Sequence, residues 1–304
     1  MDSFSDSGPE HAVMDTETQR ELARAFRDRH TTTAAGPLVL PNSWDAASTI
    51  VYEAAGFEAV GTSSAGVAAS LGVPDGEQLS RDEMLAAIDR IAHSVAIPVS
   101  ADIEAGYGDS ARAVAETVRK TIDAGAVGVN LEDGTDGSET GLVQCERHAE
   151  TIRAARAAAD DADVPVVLNG RTDVFWREVG EESERVDRAI ERANAYSEAG
   201  SDCVFVPGAT EPATVEALVD GIDGPLNVLG GPGAPTIPEL DDLGVARVSV
   251  GSGPMRATLG LLREISDELR DDGTYHRMEN AIPYSDLHEL LSASPESRGE
   301  ETDP

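Results

Sequence analysis

The chain has 304 residues, 40% of them hydrophobic and 4% aromatic, so Ala, Val, Leu and Ile must fill any large core. Its 57 acidic and 23 basic residues give a formal net charge of −34, and Lys120 is its only lysine. Phosphate binding needs clustered Lys and Arg, so this charge argues against a nucleic-acid partner.

The acidic composition also bears on where the protein works. Carboxylates spread along amphipathic helices, with Arg in place of Lys, are typical of adaptation to high salt, where screening limits self-repulsion to a few Å. An ordinary acidic protein is the alternative. No run approaches the length of a membrane span, and the polar start MDSFSDSGPEH does not read as a signal peptide, so we expect a cytoplasmic protein with no membrane partner. Cys145 and Cys203 make no disulfide framework and fit a reducing compartment.

Eight short apolar runs recur along the chain, each followed by a stretch with helical periodicity. Their continuous Val, Leu and Ile character is typical of parallel strands buried on both faces. The predicted strands are 37–42, 58–63, 97–102, 126–133, 164–170, 203–208, 225–230 and 246–251. Several intervening helices end in Ala-Gly, at Gly56, Gly125 and Gly200, which is a helix stop signal.

Eight β-then-α units predict a (β/α)8 TIM-type barrel. An open doubly wound sheet is the alternative, but no Gly-x-Gly-x-x-Gly opens a helix after the first strand, which disfavours dinucleotide binding. We expect a disordered acidic N-terminus over 1–15, the barrel catalytic domain over 16–272, a C-terminal helical extension over 273–291 and a disordered tail over 292–304. Such an extension is expected to pack on a neighbouring subunit or across the barrel mouth.

Three carboxylates follow neighbouring predicted strands, at the barrel end where working residues lie. Asp102 and Glu104 come after the third strand, and Glu132 ends the fourth. Unpaired, they would repel one another, and a divalent cation would remove that conflict. Oxygen ligands with no His or Cys nearby in sequence favour Mg²⁺, or Mn²⁺, over Zn²⁺. The alternative is that these acids simply belong to the acidic surface.

Further polar residues lie at the same predicted end. Arg171, after the fifth strand, suits a substrate carboxylate or an oxyanion, or else forms a salt bridge to one of the acids. Asn227, on the seventh strand, is a candidate for substrate binding. A loop of small residues has backbone N–H groups suited to an anion, and it begins with Ser63, Ser64 and Ala65. Asp75, in Pro-Asp-Gly, reads by itself as a turn former.

Four segments together carry a resemblance to a known family. They are GTSSAGVAASLGVPDG (61–76), SADIEAGYGD (100–109), GVNLEDG (128–134) and NGRTD (169–173). Over about residues 30–270 the chain resembles the isocitrate lyase/phosphoenolpyruvate mutase superfamily. The resemblance implies a barrel enzyme whose intermediate is an enolate, or a transferred phosphoryl group, held by metal and Arg. It also implies that the small-residue loop binds a substrate carboxylate or phosphonate.

The resemblance assigns roles to individual residues. It implies a Mg²⁺ ion held, partly through water, by Asp102, Glu104 and Glu132, with Asp75 approaching from the loop after the second strand. It implies that Arg171 stabilises the oxyanion. We therefore predict Arg171, Asp75 and Glu132 as catalytic residues.

The loop after the fourth strand departs from the family pattern. Lyases that split isocitrate or methylisocitrate carry Lys-Lys/Arg-Cys-Gly-His there, and the Cys is the acid/base group. The corresponding segment of this chain is DGTDGSETGLVQ (133–144), without Lys, Cys or His, so it also lacks the Lys of phosphonate-forming mutases. Cys145 and His148 come later, and we expect the first to be structural and the second to lie on a helix surface.

The residues that remain predict a Mg²⁺-dependent lyase that breaks a C–C bond of a small 2-oxo or 2-hydroxy acid through an enolate. An oxaloacetate decarboxylase-like reaction ranks first, and a methylisocitrate lyase-like one, with Glu139 or another acid replacing the Cys, ranks second. The alternatives are a phosphoenolpyruvate or carboxyphosphonoenolpyruvate phosphonomutase, a phosphonopyruvate hydrolase, and a non-catalytic metabolite-binding barrel. A Schiff-base aldolase is disfavoured because Lys120 lies within a predicted helix. We expect a homo-oligomer, a dimer or a tetramer.

Overall fold

The computed structural model describes residues 15–31, 36–295 and 297. Of the ends predicted to be disordered, residues 1–14, 296 and 298–304 lie outside the described residues. The described residues form one sheet of nine parallel strands surrounded by helices, which confirms the TIM-type barrel. The strands are β1 (Leu38–Leu40), β2 (Asn42–Ser43), β3 (Val60–Thr62), β4 (Val99–Asp102), β5 (Gly128–Glu132), β6 (Val167–Arg171), β7 (Cys203–Phe205), β8 (Leu226–Leu229) and β9 (Arg247–Ser249). All eight predicted strands are present, the first of them split into β1 and β2.

The split occurs at Pro41, and it is where the barrel closes. β1 pairs with β9, whereas β2 pairs with β3, so the two ends of the sheet meet in one stretch of chain. Proline has no N–H to donate to a neighbouring strand. The side chain of Asn42 bridges the seam instead, because its Oδ1 accepts from the N–H groups of Val250 and Gly251, both at 2.8 Å.

Eleven α-helices occur among the described residues, and those that alternate with the strands lie outside the barrel. They are α1 (Thr16–Thr31), α2 (Ala46–Ala54), α3 (Ser64–Ser70), α4 (Arg81–Ala92), α5 (Ala111–Asp123), α6 (Cys145–Asp161), α7 (Arg185–Glu198), α8 (Pro212–Gly221), α9 (Ile237–Asp242), α10 (Gly253–Asp271) and α11 (Tyr284–Ser292). The predicted stops at Gly56, Gly125 and Gly200 are confirmed, with φ of 83°, 90° and 111°. Within the described ranges, no helix is long and apolar enough to cross a membrane.

Helix α1 covers the amino-terminal end of the barrel, opposite the strand ends that carry the polar residues. The Gln19 side chain donates to the carbonyl oxygens of Ile122 and Ala126, at 2.7 and 3.2 Å, just before β5. Phe26 is buried so closely against the barrel that a Cβ on Gly128 would lie 2.7 Å from its ring. The barrel is therefore closed at this end, and a ligand can enter from the other.

One segment differs from expectation. The small-residue segment predicted as a loop forms helix α3, because the Ser63 side chain accepts from the Gly66 N–H at 3.2 Å and Ala-rich sequence favours a helix. In the C-terminal extension, α11 packs against α2 of its own chain.

Candidate active site

A cavity of about 360 Å³ opens at the carboxyl ends of the strands. Its volume lies within the range of about 300–1,000 Å³ that is usual for small-molecule sites. The polar residues that line it come from nearly every strand: Asn42, Thr62, Ser63, Ser64, Asp75, Ser100, Asp102, Asn130, Asn169, Arg171, Thr210, Arg247, Ser249, Ser252 and Arg256. The sequence analysis predicted the candidate catalytic and binding residues at this end of the barrel.

Asp102, the last residue of β4, is held by a chain of hydrogen bonds across the strand ends. Its N–H donates to Thr62 Oγ1 at 2.8 Å, and its carboxylate accepts from the Ser64 N–H at 3.0 Å and from Asn130 Nδ2 at 2.8 Å. Asn130 Oδ1 in turn accepts from Asn169 Nδ2 at 2.8 Å. The carboxylate of Asp102 is thus fixed in orientation at the cavity wall.

Glu104 does not line the cavity and belongs to a cluster of three left-handed residues. Glu77, Glu104 and Tyr107 have φ of 54°, 53° and 54°, a conformation that side chains other than glycine rarely adopt. The Glu104 carboxylate accepts from the Glu77 N–H and from the Tyr107 hydroxyl at 2.6 Å, and the Tyr107 N–H donates to Glu77 at 2.7 Å. Burial raises the pKa of Glu104 to about 7, although these hydrogen bonds oppose the shift.

Arg171, at the end of β6, lies between two buried acids. Its Nη1 is 2.8 Å from Glu132 Oε2, and its Nε donates to Asp173 Oδ1 at 2.6 Å. Burial disfavours the charged guanidinium, but the attraction of Glu132 and Asp173 outweighs it and raises the pKa of Arg171, so the group stays charged. Burial also raises the pKa of Glu132 well above its usual value, against the attraction of Arg171. Arg171 lines the cavity, whereas Glu132 lines a neighbouring one.

The small-residue segment and Asp75 form another wall of the cavity. Ser63, Ser64 and Ala65 all line it, but the Ser64 N–H already donates to Asp102 and is not free for a ligand. Asp75 lines the cavity too, and its pKa is raised, first by partial burial of the carboxyl group and then by the negative charge of Asp102. The hydroxyl of Ser64 hydrogen-bonds to Asp75 and opposes that shift.

The predicted metal residues are brought to one end of the barrel, but not around one point. Among the described residues, no three His, Cys, Asp or Glu side chains are placed to hold an ion together. Asp102 lines the main cavity, Glu132 lines the adjacent cavity and Glu104 lines neither. All three offer only oxygen, and Asp102 adds to the raised pKa of both glutamates, so a cation here would relieve real repulsion. The set fits a hydrated Mg²⁺, which commonly contacts one or two carboxylates and keeps several waters.

Other predicted and unpredicted residues have clear positions. Asn227 does not line the cavity: it is fully buried and donates to Ser249 Oγ at 3.0 Å, so it reaches the site through Ser249. His148 is buried on α6, not on a helix surface, and contacts the Tyr196 ring. Sequence reasoning missed Arg247, a buried arginine on β9 that lines the cavity. Its only signal was an arginine at the start of an apolar run.

The divergent loop after β5 lies away from the main cavity. An isolated antiparallel bridge joins Gly134 to Leu142 at the two ends of this loop. Residues of the loop line a second cavity of about 800 Å³ beside Glu132. Arg177 ties the loop down by contacting Asp136 at 2.8 Å. Glu139, the proposed substitute for the missing cysteine, is exposed and lines neither cavity.

Comparison with known proteins identifies the family. The family model of phosphoenolpyruvate phosphomutase matches residues 26–270. A 2-methylisocitrate lyase of Escherichia coli is 34% identical over 254 residues, which cover 80% of this chain and 83% of that protein. A phosphonopyruvate hydrolase of Variovorax is 30% identical over 244 residues, which cover 76% of this chain and 81% of that protein.

Solved structures agree. Oxaloacetate acetylhydrolase in complex with oxalate has a TM-score of 0.79 at 25% identity, covering 91% of this chain and 96% of that one. Phosphonopyruvate hydrolase in complex with oxalate and Mg²⁺ has a TM-score of 0.77 at 28% identity, covering 91% and 96%. The resemblance inferred from the four motifs is confirmed: the chain is an enzyme of the phosphoenolpyruvate phosphomutase family, in the PEP mutase/isocitrate lyase superfamily.

Proposed function

We propose that this enzyme is a Mg²⁺-dependent lyase that cleaves a C–C bond of a small 2-oxo or 2-hydroxy carboxylic acid through an enolate. An oxaloacetate decarboxylase-like reaction is the first choice. The observation that carries the proposal is the placement of Asp102 and the charged Arg171 on the wall of one small cavity. A carboxylate that can contact a cation, facing a guanidinium, is suited to an oxyanion that develops between them.

In this proposal Asp102, Glu104 and Glu132 would hold the cation, partly through water. Mn²⁺ is an alternative to Mg²⁺. When bound, the metal supplies electrostatic stabilisation of negative charge on the substrate oxygen. The support is the all-oxygen donor set and the raised pKa of Glu104 and Glu132, together with the Mg²⁺ in the structure of the related phosphonopyruvate hydrolase.

The chain's own residues would then divide the remaining work. Arg171 stabilises the enolate oxygen, and its two acidic neighbours hold the guanidinium in place. Ser63, Ser64 and Ala65 contact the substrate carboxylate from their side of the cavity. Loss of CO₂ leaves an enolate carbon that needs one proton. Asp75, which lines the cavity and has a raised pKa, would deliver it. Asn227 would orient Ser249 through their hydrogen bond.

The form of the loop is the reason for ranking decarboxylation first. Cleavage of methylisocitrate calls for an acid/base group on the departing fragment, and the loop over 134–142 brings none to the cavity. Loss of CO₂ needs no such group. The methylisocitrate lyase-like reaction remains second, supported by the 34% identical lyase of E. coli.

A phosphonomutase or phosphonopyruvate hydrolase is the third candidate, and the related hydrolase favours it over a barrel that only binds a metabolite. The test is an assay in high salt and Mg²⁺, with and without EDTA, on oxaloacetate, methylisocitrate, isocitrate and phosphonopyruvate. We expect metal-dependent release of pyruvate from oxaloacetate. Product from phosphonopyruvate alone would reassign the reaction, and tight oxalate binding without any product would indicate the non-catalytic barrel.

We also propose a cytoplasmic homo-oligomer, a dimer or tetramer, that works at high salt. Met255 is the only residue of α10 that is buried, whereas Leu259, Leu261, Leu262 and Leu269 are exposed along it. An apolar stripe of this kind on an otherwise acidic surface suits a second copy of the chain. Sedimentation of the wild type and of Leu262→Asp tests this, and the variant should shift toward the monomer.

A further inference from the structure

Arg247 is a buried cation at the closed end of the barrel. It is the first residue of β9, it is 2% exposed, and it lines the cavity. Its guanidinium carbon lies 5.9 Å from the centroid of the Phe26 ring, on the helix that covers the amino-terminal end of the barrel. The guanidinium therefore lies at the floor of the cavity, away from the strand ends that carry Asp102 and Arg171.

Among the described residues, no carboxylate forms an ion pair with Arg247, whose Nε donates to Ser249 Oγ at 3.3 Å. Burial lowers the pKa of Arg247 to about 10, against weaker attraction from Cys203 and Asp102, so the guanidinium is charged at neutral pH. The Cys203 thiol is neutral there, because burial raises its pKa to about 12. A buried charge without a contacting counter-charge is costly, and a bound anion would compensate it.

Two buried donors beside the Phe26 ring have no hydrogen-bond partner among the described residues. One is Arg247 Nη1 and the other is Ser100 Oγ, and both residues line the cavity. A Cβ built on Gly128 would lie 2.7 Å from the Phe26 ring and 2.8 Å from Ser100 Oγ, so this hydroxyl and the ring are neighbours. Asn169 Oδ1, from another residue of the cavity wall, is also buried without a partner, but it only accepts and is no ligand for an anion.

We propose that the cavity floor holds chloride, a monovalent inorganic anion, bound by Arg247 and Ser100. One negative charge matches the single guanidinium, whereas water could satisfy the hydroxyl but could not supply the charge. The ion lies below the substrate, which the proposed function places at Asp102 and Arg171, so both fit the cavity together. The site goes beyond that function, because the ion takes no part in bond cleavage and needs no metal. The net charge of −34 opposes anion binding over the rest of the surface.

The test is the line width of the chloride NMR signal in the presence of metal-free protein and EDTA. The wild type should broaden the signal, and bromide should reverse the broadening by competition. Arg247→Met should abolish this excess width. Ser100→Ala should weaken the apparent chloride affinity about 10-fold, the effect expected for one hydrogen bond to a charged group. Arg256→Met is the matched control, since it removes an exposed arginine from the same cavity, and it should bind chloride as the wild type does.

Each outcome is decisive. No excess width with the wild type, excess width that persists in a folded Arg247→Met, or its loss in Arg256→Met would overturn the proposal. Release of the chloride by malate and Mg²⁺ would assign the floor to the substrate and would overturn it too. If Arg247→Met does not fold, Ser100→Ala decides, because an unchanged chloride affinity in that variant would exclude the site. Binding is measured without turnover, so failure of the lyase proposal would show separately, as absence of product from the wild type.

Discussion

Asp133 offers a sharp test of how the site is supported from below. This fully buried carboxylate accepts from Arg192 Nε at 2.7 Å, from the Tyr196 hydroxyl at 2.6 Å and from the Asp173 N–H at 2.8 Å. Arg192 is itself buried, and Asp173 binds Arg171. Replacing Asp133 by Asn keeps the shape but leaves a buried guanidinium without its counter-charge.

Removal of one partner from a buried ion pair typically costs about 3–5 kcal/mol. In a large domain, each kcal/mol of lost stability lowers Tm by about 2–4 °C, so the Tm of Asp133→Asn should fall by roughly 6–20 °C. Urea unfolding at constant salt, followed by circular dichroism, gives the free energy of unfolding. Tyr196→Phe is the graded control, because it removes one hydrogen bond to a charged group and should cost about 1.5–3 kcal/mol. If Asp133→Asn stays within about 1 kcal/mol of the wild type, the reasoning about this network is wrong.

Three further predictions concern metal, acid and salt. Ionised Glu104 favours Mg²⁺ and its pKa is raised to about 7, so the apparent Mg²⁺ affinity measured by calorimetry should rise with pH through about 7. Tyr107→Phe removes a hydrogen bond that lowers this pKa, so it should move the midpoint of the affinity–pH curve to higher pH. An unchanged midpoint would refute the link between Glu104 and the metal. Burial lowers the pKa of His30 to about 3 and of His148 to about 4. Their contribution to stability is therefore present above the ordinary histidine pKa and is lost as the pH falls toward those values. Urea titrations at a series of pH values should show this loss in the free energy of unfolding, and the loss should be smaller in His148→Gln. The net charge of −34 should make Tm rise between 0.1 and 2 M KCl, a shift that a flat salt profile would contradict.

The barrel was predictable because its strands are buried on both faces and therefore form uninterrupted apolar runs. The position of Asp102 followed directly, since it is the residue at which one such run ends. The helix ends were predictable from the local sequence, because helices commonly end at a glycine in the left-handed conformation, as at Gly125. Helix α3 was missed because short segments of small residues are typical of both loops and helices.

The finer arrangement of the site was not predictable from spacing. Glu104 follows Asp102 by two residues, but its left-handed backbone places its carboxylate against Tyr107 and Glu77. The burial of His148 depends on packing against Tyr196, which is 48 residues away in the chain and becomes a neighbour only when α6 and α7 meet. Arg247 was overlooked because arginine is rarely buried, and only the folded barrel shows that this one is.

The most direct test of the lyase assignment is the rate of pyruvate release from oxaloacetate by wild type and Asp102→Ala, measured at saturating Mg²⁺ and again in EDTA. Circular dichroism confirms that the variant is folded. We predict metal-dependent release by the wild type and none above the uncatalysed rate from the variant. Unchanged turnover by a folded Asp102→Ala, or wild-type turnover that persists in EDTA, would contradict the assignment of Asp102 to the metal.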